Sequence, residues 1–249
     1  MSNIERVIEH IRNLLNKRAP PLTEEQKSRM FKIINPDISN YEMFGIKTSE
    51  IENIVKTVFN TYECNYEDAV EIFKVLIRSN NEDEKFAAFF FLNRFKKFFN
   101  EDTIKLFQRE YSKYCNTWSV CDSTCIRVIG PFLGKKGNEE LAIKVIDKWS
   151  TSNVMWIQRA SMVILLKVVM MKRDFNNSYV FNLVDKMLKF SDQNYIEKGI
   201  GWLLKTCSKY NPELIYNYLM ENKDKLTRLI LRYASEKLPK EKRSAILMK

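Results

Sequence analysis

The sequence predicts an all-α protein, a solenoid of antiparallel helix pairs. Three observations carry this. Glycine and proline number only six each in 249 residues, and they fall mostly at joints: Pro20-Pro21, Pro36, Gly45, Gly130-Pro131, Gly134, Gly137, Pro212 and Pro239. Between the joints, apolar residues recur at spacings of three and four, as in helices with one buried face, and no stretch alternates convincingly as a strand would. The helices pair with a period of roughly 30 to 40 residues, the arithmetic of stacked repeats that bury their apolar faces on one another. The repeats are not alike in sequence, so an irregular helical bundle stays open as the alternative.

The elements follow in order. Residues 1–40, which hold Pro20-Pro21, read as an N-terminal helical cap to a single repeat domain spanning 1–249. In "IENIVKTVF" the residues Ile51, Ile54, Val55 and Val58 form one stripe, and in "EDAVEIFKVLIRS" Val70, Phe73 and Ile77 form another. Further helices are expected at about 82–98, 101–115, 120–133, 138–149, 153–172, 178–190, 193–209, 211–221 and 223–237. The most apolar run, "SMVILLKVVMM", is short and interrupted by Lys167, so it reads as a buried helix and not a membrane span.

Charge narrows the partner. The formal net charge is +10, and from Trp202 to Lys249 there are 11 Lys and Arg against 5 Asp and Glu, a net +6. Such a balance suits a polyanionic partner, DNA, RNA or an anionic membrane surface, and its clustering favours an electrostatic footprint over a generally basic surface. Hydrophobic residues make up 45% of the chain, too many for a disordered protein. The N-terminus "MSNIERVIEH" is polar and amphipathic, so no signal peptide is expected. The five cysteines, an odd number, read as reduced thiols of an intracellular protein. Cys121 and Cys125 stand four apart, but zinc needs four ligands and the only histidine is the distant His10, so buried thiols are expected and no metal.

A single histidine near the N-terminus also excludes Ser-His-Asp and Cys-His nucleophile systems, and no phosphate-cradling glycine loop is present. Carboxylates, cations and aromatic rings remain. In "YCNTWSVCDSTC" Trp118 and Asp122 share a helix face one turn apart, with Asn116 or Thr117 as N-cap. A core indole and an aspartate favoured by the helix dipole would also explain them. Trp149 and Trp156 suit a core face. Arg159 stands at the start of an apolar helix, either snorkelling or ion-paired, or reaching for a phosphate. Gly199 and Gly201 sit inside "YIEKGIGWLLK", where each costs about 1 kcal/mol relative to alanine. No strand precedes them and no third glycine follows, so this is no dinucleotide fingerprint. Close helix packing explains Gly199; Gly201 is expected to clear space beside Trp202.

Together the stretches "MFGIKTSEI", "NTWSVCDSTC", "WSTSNVMWIQRASMV", "IGWLLKTCSKYNPE" and "LTRLILRYASEKL" resemble, in order and spacing, the AlkD-like DNA alkylation repair glycosylases from roughly Tyr41 to Leu238. The resemblance implies HEAT-like repeats with a concave basic face. It implies cleavage of the N-glycosidic bond of cationic alkylated purines, chiefly 3-methyladenine and 7-methylguanine. No lysine is evidently placed for Schiff-base chemistry, so a monofunctional enzyme without cofactor, acting on double-stranded DNA, is expected; a repeat array that buries its own faces is expected to be a monomer. Carried over by motif, Trp118, Asp122, Arg159 and Trp202 match the family's active-site residues, and Arg232 matches a backbone contact. Lys47, Lys205 and Arg228 complete the expected DNA contacts. The sequence departs from the family at Thr48-Ser49-Glu50-Ile51, which lacks a proline and an arginine, at Ser119 and at Lys205-Thr206. Two other classes stay open: a non-catalytic DNA-binding relative, and a helical-repeat protein-interaction scaffold.

Overall fold

Asparagine, serine and threonine start most of the helices. Ser2, Thr23, Asn65 and Asn100 each accept a backbone N–H three residues on, and the residue there bonds back to the cap. Each such box satisfies two donors that a helix start otherwise leaves unpaired. The computed structural model describes residues 1–191 and 193–248; positions 192 and 249, which the single-domain expectation includes, lie outside the described residues. The chain divides into two compact units, Met1–Thr124 and Cys125 onward. Among the described residues no strand forms, and a single parallel bridge joins Glu42 to Asn81.

The first unit holds α1 (Asn3–Arg18), α2 (Glu24–Ile34), α3 (Thr48–Thr61), α4 (Tyr66–Ile77), α5 (Glu82–Asn93), α6 (Glu101–Tyr114) and α7 (Trp118–Thr124). Helix α5 is its centre and packs on α1, α3, α4 and α7. Nearly all of α5 is buried, from Glu82 to Leu92. The Ile51, Ile54, Val55 and Val58 stripe is buried as the spacing predicts. On α4 the buried face is Ala69, Ile72, Phe73, Leu76 and Ile77, while Val70 is only half-buried. The helix expected over 82–98 stops at Asn93 and tightens into a 3₁₀ turn at Lys96–Phe98. The expected N-terminal cap is two different things. Helix α1 joins the main core, whereas α2 ends at Ile34 in a small cluster of its own with Tyr41 and Met43.

The second unit opens with a π-helical turn at Cys125–Ile129. It continues through α8 (Gly130–Leu133), α9 (Glu139–Ser150), α10 (Met155–Lys172), α11 (Asn177–Met187), α12 (Asn194–Cys207), α13 (Pro212–Glu221), α14 (Arg228–Ala234) and α15 (Lys240–Leu247). Its packing is a ladder: α8 on α10, α10 on α12, α12 on α14, with α9 and α11 paired behind. This is the stacking of helix pairs that the periodicity predicts. The helix expected over 120–133 is interrupted by the π-turn, where Gly130 lets α8 approach α10. A Cβ on Gly130 would meet Lys167 Cβ at 2.7 Å. The helix expected from 223 begins only at Arg228, because Thr227 is the N-cap and accepts from Ile230 N–H. The terminal α15 is not among the expected helices. Trp149 and Trp156 are buried, as are four of the five cysteines. No helix among the described residues is long and apolar enough to cross a membrane.

Candidate functional site

In the first unit the candidate residues stand on α7. Thr117 is the N-cap: its Oγ1 accepts from Val120 N–H at 3.3 Å. Trp118 is therefore the first helical residue and Asp122 lies one turn on, as the spacing requires. Asp122 is buried at 6% exposure. Trp118 is half-buried, and its Nε1–H donates to Ile33 C=O at 2.8 Å. Asn35 Nδ2 donates to Asn116 C=O at 2.7 Å, so two bonds fasten the end of α2 beside this indole.

Beneath α7 lies a buried polar network that sequence spacing does not reveal. The Glu82 carboxylate accepts from the hydroxyls of Tyr41, Thr117 and Ser119. Burial pushes the Glu82 pKa up, and the three donors pull against that. Asp83 accepts from three successive backbone N–H groups, those of Phe44, Gly45 and Ile46 at 2.7, 3.3 and 3.0 Å. That pins the loop ending at Lys47, which is exposed and starts α3 without a side-chain cap. Lys85 is 2% exposed and donates to the C=O groups of Ile77 and Tyr114, the last residues of α4 and α6. Its ammonium thus meets the negative ends of two helix dipoles. Burial nevertheless pushes its pKa down to about 8.

In the second unit the candidates stand on α10, α12 and α14. Arg159 is buried, and its Nη1 donates to Tyr195 C=O on α12. Gly199 lies opposite: a Cβ there would meet Met162 Cε at 2.7 Å and Arg159 Nη1 at 3.6 Å. Gly201 has a different role from the expected one. A Cβ there would meet Tyr233 Cβ at 2.4 Å and Ile230 O at 3.3 Å, so this glycine admits α14 against α12 and does not clear space beside Trp202. Trp202 points elsewhere on α12. At 100° per residue Lys198, Trp202 and Lys205 fall within an arc of about 60°, and all three are half-buried. Lys198 lies over the Tyr195 ring, 5.9 Å from its centroid, and exposed Lys209 follows in the turn after the helix.

Two of the expected DNA contacts are occupied within the protein. Lys205 pairs with Glu236 at 3.1 Å. Arg228 Nη1 donates to Leu247 C=O at 2.8 Å, and Lys223 Nζ to Ala245 C=O at 3.2 Å, which caps the last turn of α15 with two cations. Arg232, on the same helix as Arg228, is exposed. Lys198 could have been found from sequence, four residues before Trp202 on the same face. Glu82 could not, because its three partners lie 41, 35 and 37 residues away.

An all-helical repeat protein that carries a buried carboxylate beside an indole, and a second indole among cations, is the class these features define. The family model described as DNA alkylation repair enzyme matches residues 11–238. The chain belongs to the DNA alkylation repair enzyme family. Among solved structures it is similar to a "predicted DNA alkylation repair enzyme" from Enterococcus faecalis. That similarity has a TM-score of 0.69 at 18% identity, covering 90% of this chain and 98% of the other. No curated protein matches the sequence.

Proposed function

We propose that this protein is a monofunctional DNA glycosylase. It hydrolyses the N-glycosidic bond of purines made cationic by alkylation at N3 or N7, such as 3-methyladenine and 7-methylguanine, and leaves an abasic site. The observation that carries this reading is the buried Asp122 one turn from Trp118 in a member of a DNA alkylation repair family. An alkylated purine is already a cation and leaves without a general acid. What needs stabilising is the oxocarbenium-like sugar, as in glycoside hydrolysis.

The Asp122 carboxylate stabilises that charge and orients the attacking water. Trp118 and Trp202 offer ring faces to the sugar cation. Electrostatic stabilisation of about 3–4 kcal/mol corresponds to about 10²–10³ in rate. Arg159 supplies a guanidinium suited to a phosphate, and Lys47 and Arg232 the outlying cations; Lys205 and Arg228 reach DNA only by leaving Glu236 and Leu247. The protein works as an intracellular monomer on double-stranded DNA.

The test is base release from duplex DNA carrying 7-methylguanine, wild type against Asp122→Asn. Release by wild type and at least a tenfold loss in the folded variant supports the assignment. No release from 7-methylguanine or 3-methyladenine, with DNA binding retained, makes the protein a non-catalytic reader of DNA.

A further inference from the structure

Three hydroxyls from separate parts of the first unit converge on one buried carboxylate. Tyr41 comes from the segment after α2, Thr117 is the N-cap of α7, and Ser119 lies in the first turn of α7. Glu82 itself is the first residue of α5, where the helix dipole favours a negative charge. A carboxylate offers about four lone-pair sites, so three donors come close to filling it. Glu82 therefore has little capacity left to act on a substrate as a base, but it is well suited to hold its donors in place.

What it holds is the start of α7. Trp118 stands between two of the three donors in the chain, and Asp122 lies three residues after Ser119. The base of the arrangement is fixed as well. Asn81 caps α5 by accepting from Asp83 and Glu84 N–H at 2.9 and 3.3 Å. One turn further, Lys85 ties α5 to the ends of α4 and α6. The Glu82 N–H donates to Glu42 C=O at 2.9 Å, which sets the Tyr41 segment beside it. The start of α7 is thus bonded through Thr117 and Ser119 to a carboxylate whose own helix is held in place.

We infer that Glu82 is a positioning residue: through Thr117 and Ser119 it fixes the first turn of α7 and thereby the aim of Trp118 and Asp122. The inference rests on the glycosylase reading given above. Misaligning reacting groups by about 1 Å can cost up to about a hundredfold in rate, while binding made elsewhere on the surface is untouched.

The experiment uses Glu82→Gln in the full chain. The amide keeps the side chain's size but replaces one acceptor oxygen with a donor, so at least one hydroxyl must turn away or reverse its bond. Single-turnover release of 7-methylguanine from a duplex is measured beside the Kd for the same undamaged duplex. Ile72→Val, a buried α4 change away from the network, serves as a control for lost stability. The expected result is a rate constant lowered about tenfold or more in Glu82→Gln, Kd within about twofold of wild type, and little change of rate in Ile72→Val.

Ser119→Ala is then added to each background. Because it acts through the same carboxylate, it costs less in Glu82→Gln than in wild type. An active wild type with an equally fast Glu82→Gln overturns this inference alone. So does a loss that Ile72→Val reproduces at equal melting temperature. A wild type that releases no base overturns the glycosylase reading, and this inference with it.

Discussion

Replacing Gly201 by alanine tests the packing of the second unit directly. The new Cβ would sit 2.4 Å from Tyr233 Cβ and 3.3 Å from Ile230 O. Carbon atoms pack best at about 3.5–4.0 Å, so α12 and α14 would have to part by about 1 Å. Overpacking of this kind costs about 1–3 kcal/mol. Removing a helix-interior glycine returns up to about 1 kcal/mol. The balance is a loss of about 1–2 kcal/mol, or roughly 2–8 °C in melting temperature for a chain of this size.

Gly199→Ala is the matched comparison. Its Cβ would approach Met162 Cε at 2.7 Å, but that atom ends a flexible side chain, and the next contacts are at 3.5 and 3.6 Å. Its stability is expected within about 0.5 kcal/mol of wild type, since helix propensity offsets a small rearrangement. Urea denaturation followed by circular dichroism measures both, with unchanged m-values confirming that only stability moved. A Gly201→Ala protein as stable as wild type, or a Gly199→Ala protein as weak as Gly201→Ala, would refute the packing argument.

Three more predictions concern other parts of the molecule. Lys85 has a folded-state pKa pushed down to about 8 from an ordinary 10.5. Between these values the unfolded chain binds the proton and the folded one does not, so this group adds stability as pH rises, by about 3 kcal/mol in all. Measured from pH 7 to pH 10.5, the stability of wild type relative to Lys85→Met should therefore grow; a flat or falling difference contradicts the burial argument. Tyr41 and Cys115, whose pKa values burial pushes up, act oppositely but are present in both proteins. On the α12 stripe, Lys198→Gln should lower the slope of log affinity for duplex DNA against log salt by about 0.9, one phosphate contact. Lys105→Gln, whose lysine is already paired with Asp102 at 2.9 Å, should leave it unchanged. Finally, exposed Arg173 ends α10 in the left-handed region at φ 55°. Glycine there should stabilise the protein by about 1 kcal/mol, seen as a higher urea midpoint.

Periodicity and capping are local, and that is why the helices were legible. The stripe of Ile51, Ile54, Val55 and Val58 needs only the chain's own repeat to identify its buried face. The same holds for Trp118 and Asp122, whose shared face follows from four residues of spacing and a threonine cap. The positions of the glycines were equally plain, but their purposes were not. Spacing cannot say which neighbouring helix a glycine faces, and Gly201 proved to face Tyr233.

By itself, then, the sequence determined the helical class, the stacking of pairs and the shared face of Trp118 and Asp122, because each depends on neighbours within a turn or two. Only the tertiary structure decided which cations are spent inside the protein, as Lys205 is on Glu236 and Arg228 on Leu247. It alone brought Tyr41, Thr117 and Ser119 onto Glu82. Such pairings join residues tens of positions apart, and their partners are chosen by the packing of whole helices, which no local pattern encodes.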